Sequence, residues 1–377
     1  MEHKIKLKEI AKVFAKLGII GFGGPAAHIA MMRDEVVVKR KWMSEQHFLD
    51  LLGVTNLIPG PNSTEMAIHI GQDKGGWKGL IIAGLCFILP AVFITGMFAY
   101  LYTIYGQLPE VQPFIYGIKP AIIAIILGAI YPLAKQSIKS INLGFIGIAV
   151  LLAALLGINE IYLMFGAGLL AFGLYKVKNK QKNDTLQSIV PLTFLQITQA
   201  TFWTATNAKL FWTFLKIGSI LYGSGYVLFA FLDTELVATG LLTKQQLMDA
   251  IAVGQFTPGP VFSSVTFIGF QINGFSGAII STIAIFVPSF VFVALLNPLM
   301  KKLRNSKALA AFLDAVNVAS VAIIIAVCYE MGKETITDWR TILIAILSIA
   351  FTFGFKNVNS AFLVLGGSLL GYVFFQI

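Results

Sequence analysis

The chain has 377 residues, of which 57% are hydrophobic and only 12% are charged, and its mean hydropathy is +0.80. A soluble domain with so few charged residues would not stay dispersed in water, so the composition indicates an integral membrane protein. The net charge of +10 does not indicate nucleic-acid binding, because the basic residues fall mostly in short loops between apolar runs. We therefore expect a lipid bilayer around the protein and no nucleic acid as a partner.

The apolar residues form long continuous runs. Such runs are typical of helices that span a membrane, whereas the strands of a membrane barrel alternate apolar and polar residues. The sequence therefore predicts an all-α, multi-pass protein of the cell membrane. The apolar segments are, approximately, 10–32, 46–71, 77–104, 113–134, 141–157, 160–175, 208–232, 245–271, 275–300, 308–331, 341–355 and 358–376.

The segments form two sets of six, and the second set repeats motifs of the first. The stretch 14–25 matches 214–225 at an offset of 200, and the Pro-Gly-Pro motif at 59–61 returns at 258–260. This pattern indicates an internal duplication. The predicted parts are a first half, 1–182, a connector, 183–207, and a second half, 208–377.

The charges of the loops predict that the two halves have inverted topology. The loop 33–41 is basic, whereas the equivalent loop of the second half carries Asp233 and Glu235. Conversely, 301–307 is basic, whereas its first-half counterpart, 105–118, has no basic residue. Because positive loops stay in the cytoplasm, this change of sign indicates opposite orientations in the membrane.

Each Pro-Gly-Pro motif interrupts an apolar run and must break a helix. Ser44 and Thr243 suit helix N-caps, and about 13 helical residues, or roughly 20 Å, separate each from its motif. That length reaches the middle of the bilayer, so 46–71 is predicted to be a re-entrant pair of half-helices. Backbone freed from a helix is tolerated there only where protein or a polar cavity satisfies it, which predicts a ligand site.

The half-helix after each motif begins with unpaired N–H groups and the positive end of its dipole, which together favour an anion. The alternative is that the nearby hydroxyl groups only cap helix ends. The predicted substrate-binding residues at the two motifs are Asn56, Pro59, Gly60, Pro61, Asn62, Ser63 and Thr64, and Gln255, Pro258, Gly259, Pro260, Ser263 and Ser264.

A second pair of interruptions is rich in glycine and precedes the Pro-Gly-Pro motifs. Glycine there allows either close approach of the backbone to an anion or close packing of helices. Two equivalent lysines nearby either attract the anion or reach the membrane interface. These further candidates for substrate binding are Gly23, Gly24, Pro25, Gly223 and Ser224, with the lysines Lys16 and Lys216.

Three ionisable residues, Glu65, His28 and His69, occur only in the first half. A carboxylate in the middle of a membrane is costly unless it is protonated or paired, so these residues are candidates for proton coupling. The alternative is a Glu–His pair that is satisfied internally or at the rim of a cavity. The residues have no metal-ligand spacing, so no metal and no cofactor is predicted.

With Phe22-Gly23-Gly24-Pro25, Pro59-Gly60-Pro61 and their echoes at 222–225 and 258–260, the sequence resembles the chromate ion transporter family. The resemblance extends from about residue 8 to the C-terminus. It implies inverted homologous halves and the export of chromate, with Gly23, Gly24, Pro25, Pro59, Gly60 and Pro61 at the motif positions of the family. The second-half counterpart of Gly-Gly-Pro is Gly-Ser-Gly here.

The prediction is therefore a secondary transporter, and not an enzyme, that exports chromate by alternating access between two inverted halves. A sulfate carrier is the alternative, since sulfate is nearly isosteric with chromate. A third interpretation is a membrane enzyme in which Glu65, His28 and His69 act on a lipid-borne substrate. A homodimer is left open.

Overall fold

The computed structural model describes residues 5–22, 24–178, 204–223, 225–296, 306–355 and 359–375. These residues contain fourteen α-helices and no strand. Helices α1–α14 are Leu7–Ile20, Gly24–Arg33, Glu45–Thr55, Asn62–Tyr105, Gln112–Ser137, Ile141–Leu155, Glu160–Lys178, Ala205–Ile220, Val227–Leu232, Lys244–Phe256, Ser264–Leu296, Lys307–Thr335, Trp339–Gly354 and Ser360–Phe375. Short π-helical turns, Asp34–Lys39 and Asp233–Val237, follow α2 and α9, and the 3-10 turn Val261–Ser263 precedes α11.

Several of these helices have the length and composition needed to cross a membrane. The helical stretches of this kind are the five spans Asn62–Tyr105, Gln112–Ser137, Glu160–Val177, Val261–Leu295 and Lys307–Thr335. The prediction of an all-α, multi-pass membrane protein is confirmed.

Helix α4 turns back on itself at Gly76, whose backbone angles, φ 61° and ψ −150°, suit glycine. The segments 62–75 and 77–105 then lie so close that a Cβ atom on Gly79 would be 2.1 Å from the carbonyl oxygen of Gly71. His47, at the start of α3, pairs with Asp73 at 3.1 Å. Because α3 and 62–75 return to the same end of the protein, they form the helical hairpin predicted for 46–71.

The first apolar segment is also a hairpin, made of α1, α2 and the π-helical turn. Arg40 forms an ion pair with Glu9 at 2.9 Å, and the Ile5 N–H donates to the carbonyl oxygen of Lys74 at 3.3 Å. The start of α1 therefore lies at the same end as the basic loop 33–41.

The elements of the first half recur in the same order in the second half. The reversal at Gly76 returns at Gly274, with φ 59° and ψ −148°, and Pro90 of α4 corresponds to Pro288 of α11. The connector predicted at 183–207 lies outside the described residues except for its last positions, 204–207.

The two halves nevertheless pack against each other through several helices. Helix α4 packs against α11, α5 packs against α13 and α14, and α12 packs against α6 and α7. The contact between α5 and α14 is tight, since a Cβ atom on Gly117 would lie 2.1 Å from the Gly367 carbonyl oxygen. The packing thus exchanges helices across the limits predicted for the two halves, 1–182 and 208–377.

We expect single cysteines at Ser44 and Thr243 to react with a membrane-impermeant maleimide from opposite faces of the membrane, if the halves are inverted. Both residues are exposed N-caps, of α3 and α10. The variants Ser44→Cys and Thr243→Cys are made in a chain that lacks Cys86 and Cys328, and labelling is compared in right-side-out and inside-out vesicles.

Gln46→Cys and Gln245→Cys are matched controls, because each residue is exposed in the first turn of the same helix. Each control should label from the same face as its neighbouring N-cap. Labelling of Ser44→Cys and Thr243→Cys from one face would rule out inverted halves.

Candidate functional site

The two Pro-Gly-Pro turns are bound to opposite halves by a matched pair of hydrogen bonds. The Gly60 N–H donates to the carbonyl oxygen of Leu221, and the Gly259 N–H donates to that of Gly21, both at 2.7 Å. Each acceptor ends the first helix of the other half. The structure therefore brings together the interruptions that the sequence singled out separately.

Glycine is required at the centre of both turns. Gly60 has a φ of +130° and Gly259 a φ of +90°, which side-chain-bearing residues rarely adopt. A Cβ atom on Gly60 would lie 2.3 Å from Oε1 of Glu65, and one on Gly259 would lie 2.8 Å from Cβ of Ala91.

The first turn borders a cavity of about 580 Å³ that lies between the halves. An adjoining cavity of about 320 Å³ shares part of this wall and extends to Gln136, Ser137 and Lys139 at the end of α5. The predicted site residues that line one or both cavities are Gly24, Pro25, Asn56, Gly60, Asn62 and Gly223.

Three helices begin at the wall of the larger cavity, namely α2 at Gly24, α4 at Asn62 and α14 at Ser360. The start of a helix carries a partial positive charge and exposes N–H donors. None of the described residues that line the larger cavity has a charged side chain, and Lys139 beside the smaller one is paired with Asp314 at 2.6 Å. The wall of the larger cavity thus combines three helix starts with uncharged side chains.

Two asparagines supply the polar side chains of the first turn. Asn62 Nδ2 donates to Oδ1 of Asn56 at 3.0 Å, which leaves the NH₂ group of Asn56 as a donor on this wall. The N–H groups of Thr64 and Glu65, in contrast, both donate to the carbonyl oxygen of Pro61, at 2.7 and 3.1 Å. Those two groups are therefore used within the turn.

The second turn lies in the interior and lines neither cavity. Pro258, Gly259 and Pro260 are buried, and the Ser263 hydroxyl, 1% exposed, accepts from Oγ1 of Thr95 at 3.4 Å. The predicted residues of the two motifs that are buried and line neither cavity are Pro59, Pro61, Ser63, Thr64, Gln255, Pro258, Gly259, Pro260, Ser263 and Ser264. Of the two Pro-Gly-Pro turns, the first lines the larger cavity and the second does not.

Gln255 lies directly behind the cavity wall. Its side-chain oxygen accepts from the Tyr226 hydroxyl at 3.4 Å, and its backbone carbonyl accepts from the Ser360 hydroxyl at 3.1 Å. Because Tyr226 and Ser360 both line the larger cavity, Gln255 connects the second motif to this wall.

Lys16 and Lys216 are held in equivalent ion pairs. Lys16 Nζ lies 2.6 Å from Glu35, and Lys216 Nζ lies 2.5 Å from Glu235. Hydrogen bonding to Lys16 lowers the pKa of the Glu35 carboxyl. Neither lysine lines the two cavities. The structure therefore assigns these lysines to contacts between the first helix and the π-helical turn of each half, and not to the wall of the site.

Glu65 is completely buried behind the first turn. Its Oε1 accepts from the Ser289 hydroxyl of α11 at 3.3 Å, whereas Oε2 has no hydrogen-bond partner among the described residues. Both ring nitrogens of the buried His69 likewise have none. Glu65 and His69 therefore do not hydrogen-bond to each other. The structure does not contain the internally satisfied Glu–His pair that was an alternative from the sequence.

His28 belongs to the surroundings of the second turn. Its Nε2 lies 2.9 Å from the carbonyl oxygen of Gly21, which also accepts from the Gly259 N–H. Its ring packs edge-on against Phe87. The three candidates for proton coupling therefore do not form one cluster.

The cavity also has polar lining that the sequence did not predict. Gln136, Tyr226, Thr352 and Ser360 all face it. The serine at the start of the last helix is the one usable sequence signal, because serine is common at helix starts. Gly23 and Ser224, both predicted, lie outside the described residues.

Comparison with known proteins gives matches over nearly the whole chain. A probable chromate transport protein of Synechococcus elongatus is 29% identical over 378 residues, which cover 98% of this chain and 96% of that protein. A chromate transport protein of Cupriavidus metallidurans is 29% identical over 373 residues, 97% of this chain and 93% of that protein. No solved structure matches.

The uncharacterised transporter YwrB of Bacillus subtilis, which is about half as long, is 30% identical over 181 residues. These residues cover 46% of this chain and 90% of YwrB. The family model of chromate transporters matches residues 8–172 and 208–372, so that it covers most of the chain in two parts. This integral membrane protein belongs to the chromate transporter family.

Proposed function

We propose that this protein transports chromate across the cell membrane as a secondary transporter. Its full-length relatives in Synechococcus and Cupriavidus are named as chromate transport proteins. The observation that carries the proposal is the cavity at the first turn, where α2, α4 and α14 begin and Asn56 and Asn62 provide amide groups. A tetrahedral dianion suits such a site.

The expected affinity is moderate. A helix start stabilises an anion by about 0.3–1 kcal/mol when exposed and up to ~2 kcal/mol when partly buried. Hydrogen bonds to a charged group add about 1.5–3 kcal/mol each. After desolvation, three helix starts and the amides would give micromolar to millimolar binding, which allows rapid release.

We further propose alternating access with export as its direction. The smaller cavity reaches Gln136 at the end of α5 and Lys139 in the loop before α6, and basic loops stay in the cytoplasm. The first turn would then receive the anion from the cytoplasm while the second turn is closed. When the first turn then closes and the second turn opens, the site would open to the outside.

Sulfate is the second candidate substrate. The site that we propose selects a tetrahedral dianion by shape and dipole orientation, and sulfate satisfies both criteria. Competition between labelled chromate and sulfate in counterflow with proteoliposomes distinguishes a chromate carrier from a sulfate carrier.

Glu65 is the residue best placed for proton coupling. Its Oε1 would lie 2.3 Å from a Cβ atom on Gly60, so the carboxyl group lies against the turn that lines the cavity. Charging a buried carboxyl that has one weak hydrogen bond is costly, so protonation and the position of the turn should depend on each other.

Asn56→Ala and Asn62→Ala should each weaken equilibrium binding of chromate to the purified protein about tenfold, the loss expected for one hydrogen bond to a charged group. The matched control is Asn142→Ala, which removes an exposed amide of α6 that lines neither cavity. If the two variants bind as the wild type does and Lys16→Ala alone eliminates binding, the anion is bound by the lysine and the proposed site is wrong.

Glu65→Gln should abolish chromate accumulation driven by a pH gradient but preserve chromate exchange, because glutamine keeps the shape of the side chain and cannot titrate. Both activities are measured in proteoliposomes. Ser289→Ala is the control, since it removes the hydrogen bond to Glu65 and retains the carboxyl group. Unchanged pH-driven accumulation in Glu65→Gln would mean that the residue is structural.

A further inference from the structure

A buried charge pair joins the halves away from the first turn. Lys119 Nζ of α5 lies 3.7 Å from Oδ1 of Asp249 on α10, and their side chains are 13% and 4% exposed. The Tyr102 hydroxyl of α4 donates to the other carboxylate oxygen, Oδ2, at 2.6 Å. The carboxylate is thus held closely by the tyrosine and more loosely by the ammonium group.

This pair has no part in the cavity at the first turn, because none of its members lines it. Helix α5 is long and apolar enough to span a membrane. Ionisable groups in such a helix are costly, and they commonly mark the path of a substrate or ion. Asp249 lies on α10, the half-helix that leads directly to the second Pro-Gly-Pro turn.

The repeat assigns Lys119 a counterpart in the second half. On both sides of α5, residues of the first half match residues of the second half that lie 198 positions later. Pro90, before α5, matches Pro288, and the N-cap Ser140, after α5, matches the N-cap Asp338. The same offset pairs Lys119 with Asn317. Asn317 lines the smaller cavity beside the first turn.

We propose that Lys119 is an anion-binding residue of the opposite-facing cavity, the one formed around the second turn, and that Asp249 neutralises it in the conformation described here. The inference rests on the proposed alternating access between inverted halves. When the halves exchange conformations, Lys119 takes the position that Asn317 occupies now. Its ligand is the same divalent tetrahedral oxyanion.

The geometry suits an exchange of partners. A divalent anion replaces Asp249 at the ammonium group, while the Tyr102 hydroxyl continues to hold the carboxylate. Return of Asp249 to Lys119 then releases the anion to the outside. The two faces of the transporter would therefore bind the anion differently, by a lysine at the outer face and by amides and helix starts at the inner one.

The test measures the half-saturating chromate concentration for counterflow separately in right-side-out and inside-out membrane vesicles. Lys119→Asn places at position 119 the residue type found at its counterpart, Asn317. It should raise this concentration about tenfold or more at the outer face, the effect of losing a hydrogen bond to a charged group, and leave the inner face close to wild type. Lys119→Arg keeps the charge and should keep outer binding.

The double variant Lys119→Asn/Asp249→Asn decides between anion binding and a structural ion pair. It contains no lone buried charge, so its folding does not depend on the missing partner. Persistent loss of outer affinity supports the proposal. Wild-type affinity in the double variant, or equal losses at both faces in Lys119→Asn, overturns it. Failure of the wild-type protein to exchange labelled chromate at either face would instead refute the proposed function.

Discussion

The structure depends on one constraint, which is that a broken helix inside a membrane must still satisfy its backbone. Here the central N–H of each Pro-Gly-Pro turn is satisfied by the other half, through the bonds from Gly60 to Leu221 and from Gly259 to Gly21. Neither turn can therefore move without affecting the end of a helix in the opposite half. This reciprocal dependence would couple the two halves in the proposed alternating access.

The same pair of turns shows how related sequences can occupy different environments. The first turn faces a cavity through Asn56 and Asn62, whereas the second is buried against Ala91 and Thr95 of α4. The asparagine Asn62 also has no polar counterpart in the second motif, where Val261 follows the proline. The difference between the turns thus lies partly in conformation and partly in the side chains themselves.

The sequence predicts features that depend on local chemistry. A Pro-Gly-Pro motif and a glycine with positive φ end a helix, whereas single prolines such as Pro90 lie within one. Both pairs of interruptions and the hairpin at 46–71 could therefore be predicted. The roles of Lys16 and Lys216 could not, because their partners, Glu35 and Glu235, are brought to them by the folding of a π-helical turn. Ser360 and Tyr226 were missed because the exchange of helices that places them at the cavity depends on tertiary packing.

The exchange of helices also affects how the chain is made. Helix α5 buries its glycine face against α14, and so its final neighbours are synthesised more than 200 residues later. Chains generally fold from the N-terminus during synthesis, one complete unit at a time. In this protein α5 can reach its native packing only after α14, the last helix, has been inserted, whereas the buried cluster of α1–α4 contains first-half residues alone.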